Sequence, residues 1–475
     1  MDMKPNHKNT KDIEEIFGVI SADNLTSEEA ALKSDRLFVR SQDHLAFDNA
    51  AASGVRLSAY QALTIFGLKK LREVIDYGSA IIPVACSEPA TSIKQRRESL
   101  GLSTALVAKK AGVTEEDVLN AEDPNRRNSM QILCRIAQTL CMDDMAIAFY
   151  KTGQSDVEFA YRLRDWGTLA GSRKQLTLGL NEAAWVIKKQ LELSAFNRPV
   201  RHQEFEPSSI YGDRNYPVWQ QGYYLAEKTR KLLGLGHEPV QSMRVLLEKT
   251  LGIPLVQLEL PDSVAGGTVS FDQGRGVFLN IKGNNNEVGA RRFTLAHELG
   301  HLLWDPEQRL RRIIVDEYKI LEPTQTLDDQ VDHDFVEARA NAFAIEFLAP
   351  GKKVESVFRS ESSASAGLKK VMEVFGLSYT AARFHIFNSL SRTIDLEQLT
   401  STGYSIADNW QVQENFTVDF FKPESVPFSR RGRFAYEVVK AEETRKISTN
   451  AAAIWLGCST LEYQKEKETI KSFFE

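Results

Sequence analysis

Apolar side chains recur at helical spacing through most of this 475-residue chain, and only a short central stretch alternates as a sheet would. Residues 1–90 read as mostly helical, with Leu63, Phe66, Leu71, Val74 and Ile75 among the apolar positions and a break near Pro83 and Pro89. From 92 to 143 the pattern shortens into helices at 93–100, 105–111, 115–122 and 130–140, divided by turns at Gly101 and Gly112 and by a polar loop. Residues 144–204 continue as helix and end in a polar run closed by Pro217, which marks a boundary. Helices at 223–233 and 240–251 then precede three strand-like runs at 254–260, 267–271 and 276–281. An apolar helix starts near Glu287, and another runs from Glu337 until Pro350 closes it. Farther on, 415–421 reads as a strand, and 433–446 and 449–456 as helices, the last capped by Ser448. The expectation is a mainly α chain with a small β-sheet (α+β) and several domains: 1–90, 91–144, 145–222, 223–390 and 391–475.

The helix after Glu287 carries the chemistry. Its core, Thr294-Leu295-Ala296-His297-Glu298-Leu299-Gly300-His301-Leu302-Leu303, sets two histidines four residues apart in an otherwise apolar run. Residues four apart on a helix lie one above the other, so both imidazoles can reach one ion at about 2.0 to 2.1 Å. Glu298 sits roughly 100° round the helix, beside such an ion, where a carboxylate can take a proton from an attacking water. Buried ionisable groups left without a partner carry a desolvation cost, and a metal removes it. The pattern supplies two ligands and a general base.

A catalytic zinc takes a third protein ligand, and the best candidate is Glu337. On the helix it opens, Arg339 and Glu346 share a face, read as the solvated side, and Glu337 lies nearly opposite them. That leaves Glu337 among Ala340, Ala344 and Leu348, with Asn341 one turn on as a hydrogen-bond partner for a ligating histidine. A plainer account of Glu337 is a helix-start carboxylate favoured by the macrodipole. Asp332, His333 and Asp334 are rival ligands in a polar approach to the helix, and His385 is a candidate for stabilising an oxyanion. His7, His44, His202 and His237 read as surface residues.

Composition narrows the class. With 42% hydrophobic and 26% charged residues the chain reads as soluble and globular, and no apolar run approaches the roughly eighteen residues of a membrane span. The first residues lack the apolar core of a signal peptide, so a cytoplasmic location is expected. Cys86, Cys134, Cys141 and Cys458 are scattered without C-x-x-C spacing and read as small buried side chains. A net charge of −5 argues against a broadly positive surface for nucleic acid. The Arg430-Arg431-Gly432-Arg433 cluster reads as a solvated turn.

Residues 94–140 resemble, in helix order and spacing, the XRE class of helix-turn-helix domains, with Thr114 as N-cap of the second helix of the pair. The resemblance implies DNA as a partner through 91–144. The first turn of that helix, however, is Glu115-Glu116-Asp117, a poor match to a phosphate-lined groove. Lys94, Arg96, Arg97, Lys109, Lys110, Arg126 and Arg127 are left for backbone phosphates. A protein-docking or dimerisation module is the other reading.

Residues 223–390 resemble the ImmA/IrrE family of metallopeptidases in three separated motifs: 292–301, 337–350 and 375–382. The resemblance implies a zincin-like peptidase core with an active-site helix, Zn²⁺ held by His297, His301 and Glu337, and Glu298 as catalytic base. It also implies cleavage of repressor-type regulatory proteins. Family patterns often place a second acidic residue where this chain has Arg339, a departure expected to spare the metal. The rival function is a DNA-binding transcriptional regulator whose metal site is a sensor or structural element. A third is a toxin or defence component whose proteolysis a partner triggers. An open edge strand of the small sheet would suit a peptide substrate.

Overall fold

The structure is a computed structural model of the chain. It describes residues 7–19, 25–49, 51–83, 85–149, 161–162, 173–195, 217–271, 274–305, 313–317, 335–399, 408–414 and 424–472. Packing divides the chain into two compact units: Met1–Glu158 with Arg173–Leu193 and Lys422–Glu475, and Phe159–Ser172 with Ser194–Phe421. Among the described residues, no helix is long and apolar enough to cross a membrane.

The first unit opens with helices α1 (His7–Phe17) and α2 (Ser27–Lys33), then strands β1 (Leu37–Arg40), β2 (His44–Phe47) and β3 (Val55–Ser58), helix α3 (Ala59–Tyr77) and strand β4 (Ser79–Ile81). The strands form an antiparallel sheet in the order β3-β1-β2-β4, so residues 1–90 carry, beside their helices, a small sheet that periodicity does not predict. These strands are three or four residues long, and Phe38, Val39 and Arg40 of β1 are buried in succession. No alternation is there to be read.

Helices α4 (Ala90–Ser99), α5 (Thr104–Ala111), α6 (Glu115–Ala121) and α7 (Met130–Thr139) stand where the spacing places them. Thr114 caps α6 reciprocally with Asp117: its hydroxyl accepts from the Asp117 amide at 3.1 Å, and its own amide donates to the Asp117 carboxylate at 2.9 Å. Helix α8 (Arg173–Ala195) follows, and the tail adds helices at Arg433–Glu443, Thr449–Leu456 and Thr460–Ser472.

Arg430 corrects the reading of its cluster as a solvated turn. It is buried, donates to both Glu182 oxygens at 2.8 and 3.1 Å, and reaches Gln138 at 2.8 Å and the Trp455 carbonyl at 3.0 Å. Burial works to raise the Glu182 carboxyl, but Arg430 beside it brings it down to about 2. Helices distant in sequence close over this guanidinium, which local charge density cannot foretell. All four cysteines are free, and Cys86 is exposed, contrary to its reading as buried.

The second unit holds helix α9 (Val218–Leu232) and α10 (Met243–Val245), the latter prolonged by a π-helical turn over Leu246–Leu251. Its sheet runs β5-β9-β7-β8-β6, formed by β5 (Tyr161–Arg162), β6 (Leu255–Leu258), β7 (Val264–Phe271), β8 (Gly274–Asn280) and β9 (Ile313–Glu317). The three strands read from the sequence are β6, β7 and β8. Helix α11 (Val288–Trp304) lies against β7 and β8, and α12 (Phe335–Leu348) packs on α11. Leu295, Leu299 and Leu302 of α11 meet Phe343 and Phe347 of α12 in one apolar core. Helices α13 (Gly351–Arg359), α14 (Ala364–Phe375), α15 (Tyr379–Ser389) and α16 (Asp408–Glu414) complete the unit. The strand expected at 415–421 lies outside the described residues.

Arg292 fastens the start of α11. It is fully buried, pairs with Glu414 of α16, donates to the Val240 carbonyl at 2.6 Å and stacks 4.1 Å from the Trp410 ring centre. Glu414 in turn accepts from the Met243 amide at 3.0 Å, supplying a tertiary cap for α10.

A candidate metal centre between two buried helices

Every described side chain of α11 from Arg291 to Trp304 is buried. Helix periodicity stacks His297 over His301, and α12 brings Glu337 across to them. The two helices approach closely because residue 300 is glycine: a Cβ there would come within 2.8 Å of the Phe343 ring. On the other side of α11, a Cβ at Gly266 of β7 would meet the Phe278 carbonyl oxygen at 2.9 Å and the Glu298 carboxylate at 3.6 Å. Strand β7 therefore lies directly against the carboxylate.

His297 Nε2 and His301 Nε2 are 2.9 Å apart, and Glu337 Oε2 is 3.3 and 3.2 Å from them. The three atoms form a near-equilateral triangle. Ligands about 2.0 to 2.1 Å from a tetrahedral metal stand roughly 3.3 Å from one another, so this group can hold a metal ion with little rearrangement. The donor set, two imidazoles and a carboxylate, is one that first-row divalent ions accept. His297 and His301 are wholly buried and Glu337 is 6% exposed.

Without an ion's charge the three groups act on one another. Burial alone would push the His301 imidazole down, yet the Glu337 and Asp305 carboxylates hold it well above its ordinary value. Burial would likewise raise Glu337, and the two histidines hold it well below the usual carboxylate range.

The outer nitrogens are also held. His297 Nδ1 lies 2.9 Å from Asn341 Oδ1, the contact expected from one helical turn beyond Glu337. His301 Nδ1 lies 2.8 Å from Asp305 Oδ2, and Arg339 donates to Asp305 Oδ1. Sequence reasoning missed Asp305, although it follows His301 by four residues and so returns to the same helix face.

Arg339 is a correction. It is 7% exposed and ion-paired, and none of the residues 336–350 is exposed, because α9 and α11 both pack on α12. The face assigned to solvent is an interior one, and Arg339 is connected to the metal site through Asp305. Glu346 on that same face is half-buried and accepts the Gly351 amide at the start of α13, with burial pushing its carboxyl up to about 7. Asp332, His333 and Asp334 lie outside the described residues.

His385 takes no part in the centre. It is buried on α15, its Nε2 donates to the Ala349 carbonyl at 2.6 Å, and its ring packs edge-on against Tyr223. Nδ1 finds no partner among the described residues, and burial brings the imidazole down to about 4. The unfolded chain then takes up this proton near pH 6.5 and the folded one only near pH 4. Stability from His385 is therefore present above pH 6.5 and lost as pH falls to 4, on the order of 3 kcal/mol in all. Urea unfolding in chelator at pH 7 and pH 5 checks this: the wild-type chain should lose more stability between them than His385→Gln, and equal losses would refute it.

Residues 249–387 match the Peptidase_M78 family, the IrrE N-terminal-like domain. The matched stretch carries His297, Glu298, His301, Asp305, Glu337, Arg339 and Asn341, and leaves residues 91–144 outside it. No curated protein matches the chain. Over this part of the chain the match supports the ImmA/IrrE resemblance read from the three motifs, and it suggests a metallopeptidase. The His-His-Glu group accords with the metal that such a family implies.

Proposed function

We propose that the second unit is a zinc-dependent endopeptidase acting on a regulatory protein of the repressor type, with His297, His301 and Glu337 as ligands and Glu298 as general base. The observation that carries this reading is the triangle of donor atoms, with Glu298 one residue after a ligand and buried against β7. A structural zinc site is closed by four protein ligands, and three are gathered here among the described residues, as in catalytic sites.

A bound zinc ion supplies Lewis acidity, polarising the scissile carbonyl and easing deprotonation of a water. Glu298 takes the proton from the attacking water and passes it to the leaving amine nitrogen. Asn341 holds the His297 ring, and the three donors are buried where α11 and α12 pack together.

The sheet suits an extended peptide. Strand β7 is not an edge, since β8 and β9 flank it. Two residues of β5 cover Ile313 and Ile314 of β9, while Val315 to Glu317 have no further strand partner among the described residues. That open portion pairs on its other side with Val264, Gly266 and Gly267 of β7, beside Glu298. A substrate strand added there would lie along the catalytic side of the sheet.

The repressor class rests on the resemblance of residues 223–390. The 91–144 helices are the proposed docking module for a partner, and DNA is the weaker candidate because α6 exposes Glu115 and Glu116. Incubating the zinc-loaded chain with candidate repressors and mapping products by mass spectrometry tests the proposal. One chelator-sensitive cut in a repressor is the expected result. Intact repressors alongside a cut generic peptide would remove the substrate class and leave the peptidase.

A further inference from the structure

Beyond the ligands, α11 and α12 are joined by a second, polar connection. Asp305 ends α11, and its amide donates back to the His301 carbonyl at 3.0 Å. The negative end of the helix dipole makes this an unfavourable place for an anion, and Asp305 is 1% exposed. Arg339 offsets both costs. Its guanidinium is itself buried and donates to Asp305 Oδ1, while Asp305 Oδ2 stands 2.8 Å from His301 Nδ1. Each carboxylate oxygen thus has a partner, which fixes how the group is turned.

We infer that Arg339 is a positioning residue for the metal centre, acting on His301 through Asp305; this rests on the ligand assignment above. A carboxylate only accepts, so Asp305 selects the His301 tautomer with hydrogen on Nδ1 and leaves Nε2 to face Glu337 and His297. Arg339 keeps the carboxylate aimed. Because Arg339 stands two residues from Glu337, α12 reaches His301 twice: from the front through Glu337, with which His301 would share an ion, and from behind through Asp305. The ring closes through the backbone of one helix turn, so a shift of α12 moves both together.

Zn²⁺ affinity of the full chain, measured by competition with a chromophoric chelator, tests this without reference to peptide cleavage. Arg339→Met is expected to weaken Zn²⁺ about 10- to 100-fold, the range for losing an outer partner of a ligating histidine. Arg339→Lys should recover part of the loss. Asp305→Asn should weaken binding to a similar degree, and the double variant Asp305→Asn with Arg339→Met should be no worse than Asp305→Asn alone. Histidine ¹⁵N shifts of the zinc-loaded protein should show Nδ1 of His301 protonated in the wild type and a changed signal in Arg339→Met. A merely structural role would lower the melting temperature of the metal-free protein and leave affinity and the ¹⁵N signal unchanged. That outcome, or additive losses in the double variant, overturns the inference. His301→Ala serves as the control: undiminished zinc binding there would refute the ligand assignment instead.

Discussion

Replacing Glu298 by glutamine is expected to lower peptide hydrolysis about 100- to 10,000-fold, the usual contribution of a positioned general base. The bound metal should stay. Glutamine matches glutamate in shape and fits the same buried space against β7, so the fold loses no packing. It cannot accept and return a proton. The three ligand atoms belong to other residues, and none of their separations depends on residue 298. Metal content by elemental analysis, set beside cleavage rate, is the check. Loss of zinc in this variant would show Glu298 acting as a ligand, and retained activity would remove it as the base.

Glu337→Ala should instead empty the site. Two imidazoles on consecutive turns of α11 remain, and no other carboxylate is grouped with them among the described residues. Outer partners of a ligating histidine are worth about 10- to 100-fold in affinity, and a direct ligand should exceed that. Activity should fall with occupancy and partly return at high zinc concentration. Full occupancy at stoichiometric zinc would discard Glu337 as the third ligand. Asp332, His333 or Asp334 would then be the next residues to change.

The motif 297–301 was legible because helix periodicity is local: four residues bring two histidines onto one face whatever surrounds them. Glu337 was legible for a related reason, since a carboxylate among alanines and leucine needs a partner. Arg339 was not. The same periodicity placed it opposite Glu337, and only the packing of α9 on α12 shows that this side is also interior. Arg430 reads as solvated for the same reason, although Glu182 and Trp455 come to it from distant segments. The sheet of β1 to β4 was hidden by the shortness of its strands. What periodicity conveys is the face of an element, and what it omits is how many faces are covered.

Asp305 falls between these cases. Its spacing from His301 is visible in the sequence, but an aspartate at the end of a helix would ordinarily be assigned to solvent. The partner that permits its burial, Arg339, is thirty-four residues away. Such compensating pairs of buried charges become visible only once burial is known.

Titration of the chelator-stripped chain with Zn²⁺, following bound metal and cleavage of an unstructured protein substrate together, tests the central claim most directly. Both signals should rise in parallel and level off at one ion per chain, while Glu298→Gln binds the same ion without cleavage. A wild-type chain that binds one ion at His297, His301 and Glu337 and cleaves nothing, or that cleaves equally well with the site emptied, would contradict it.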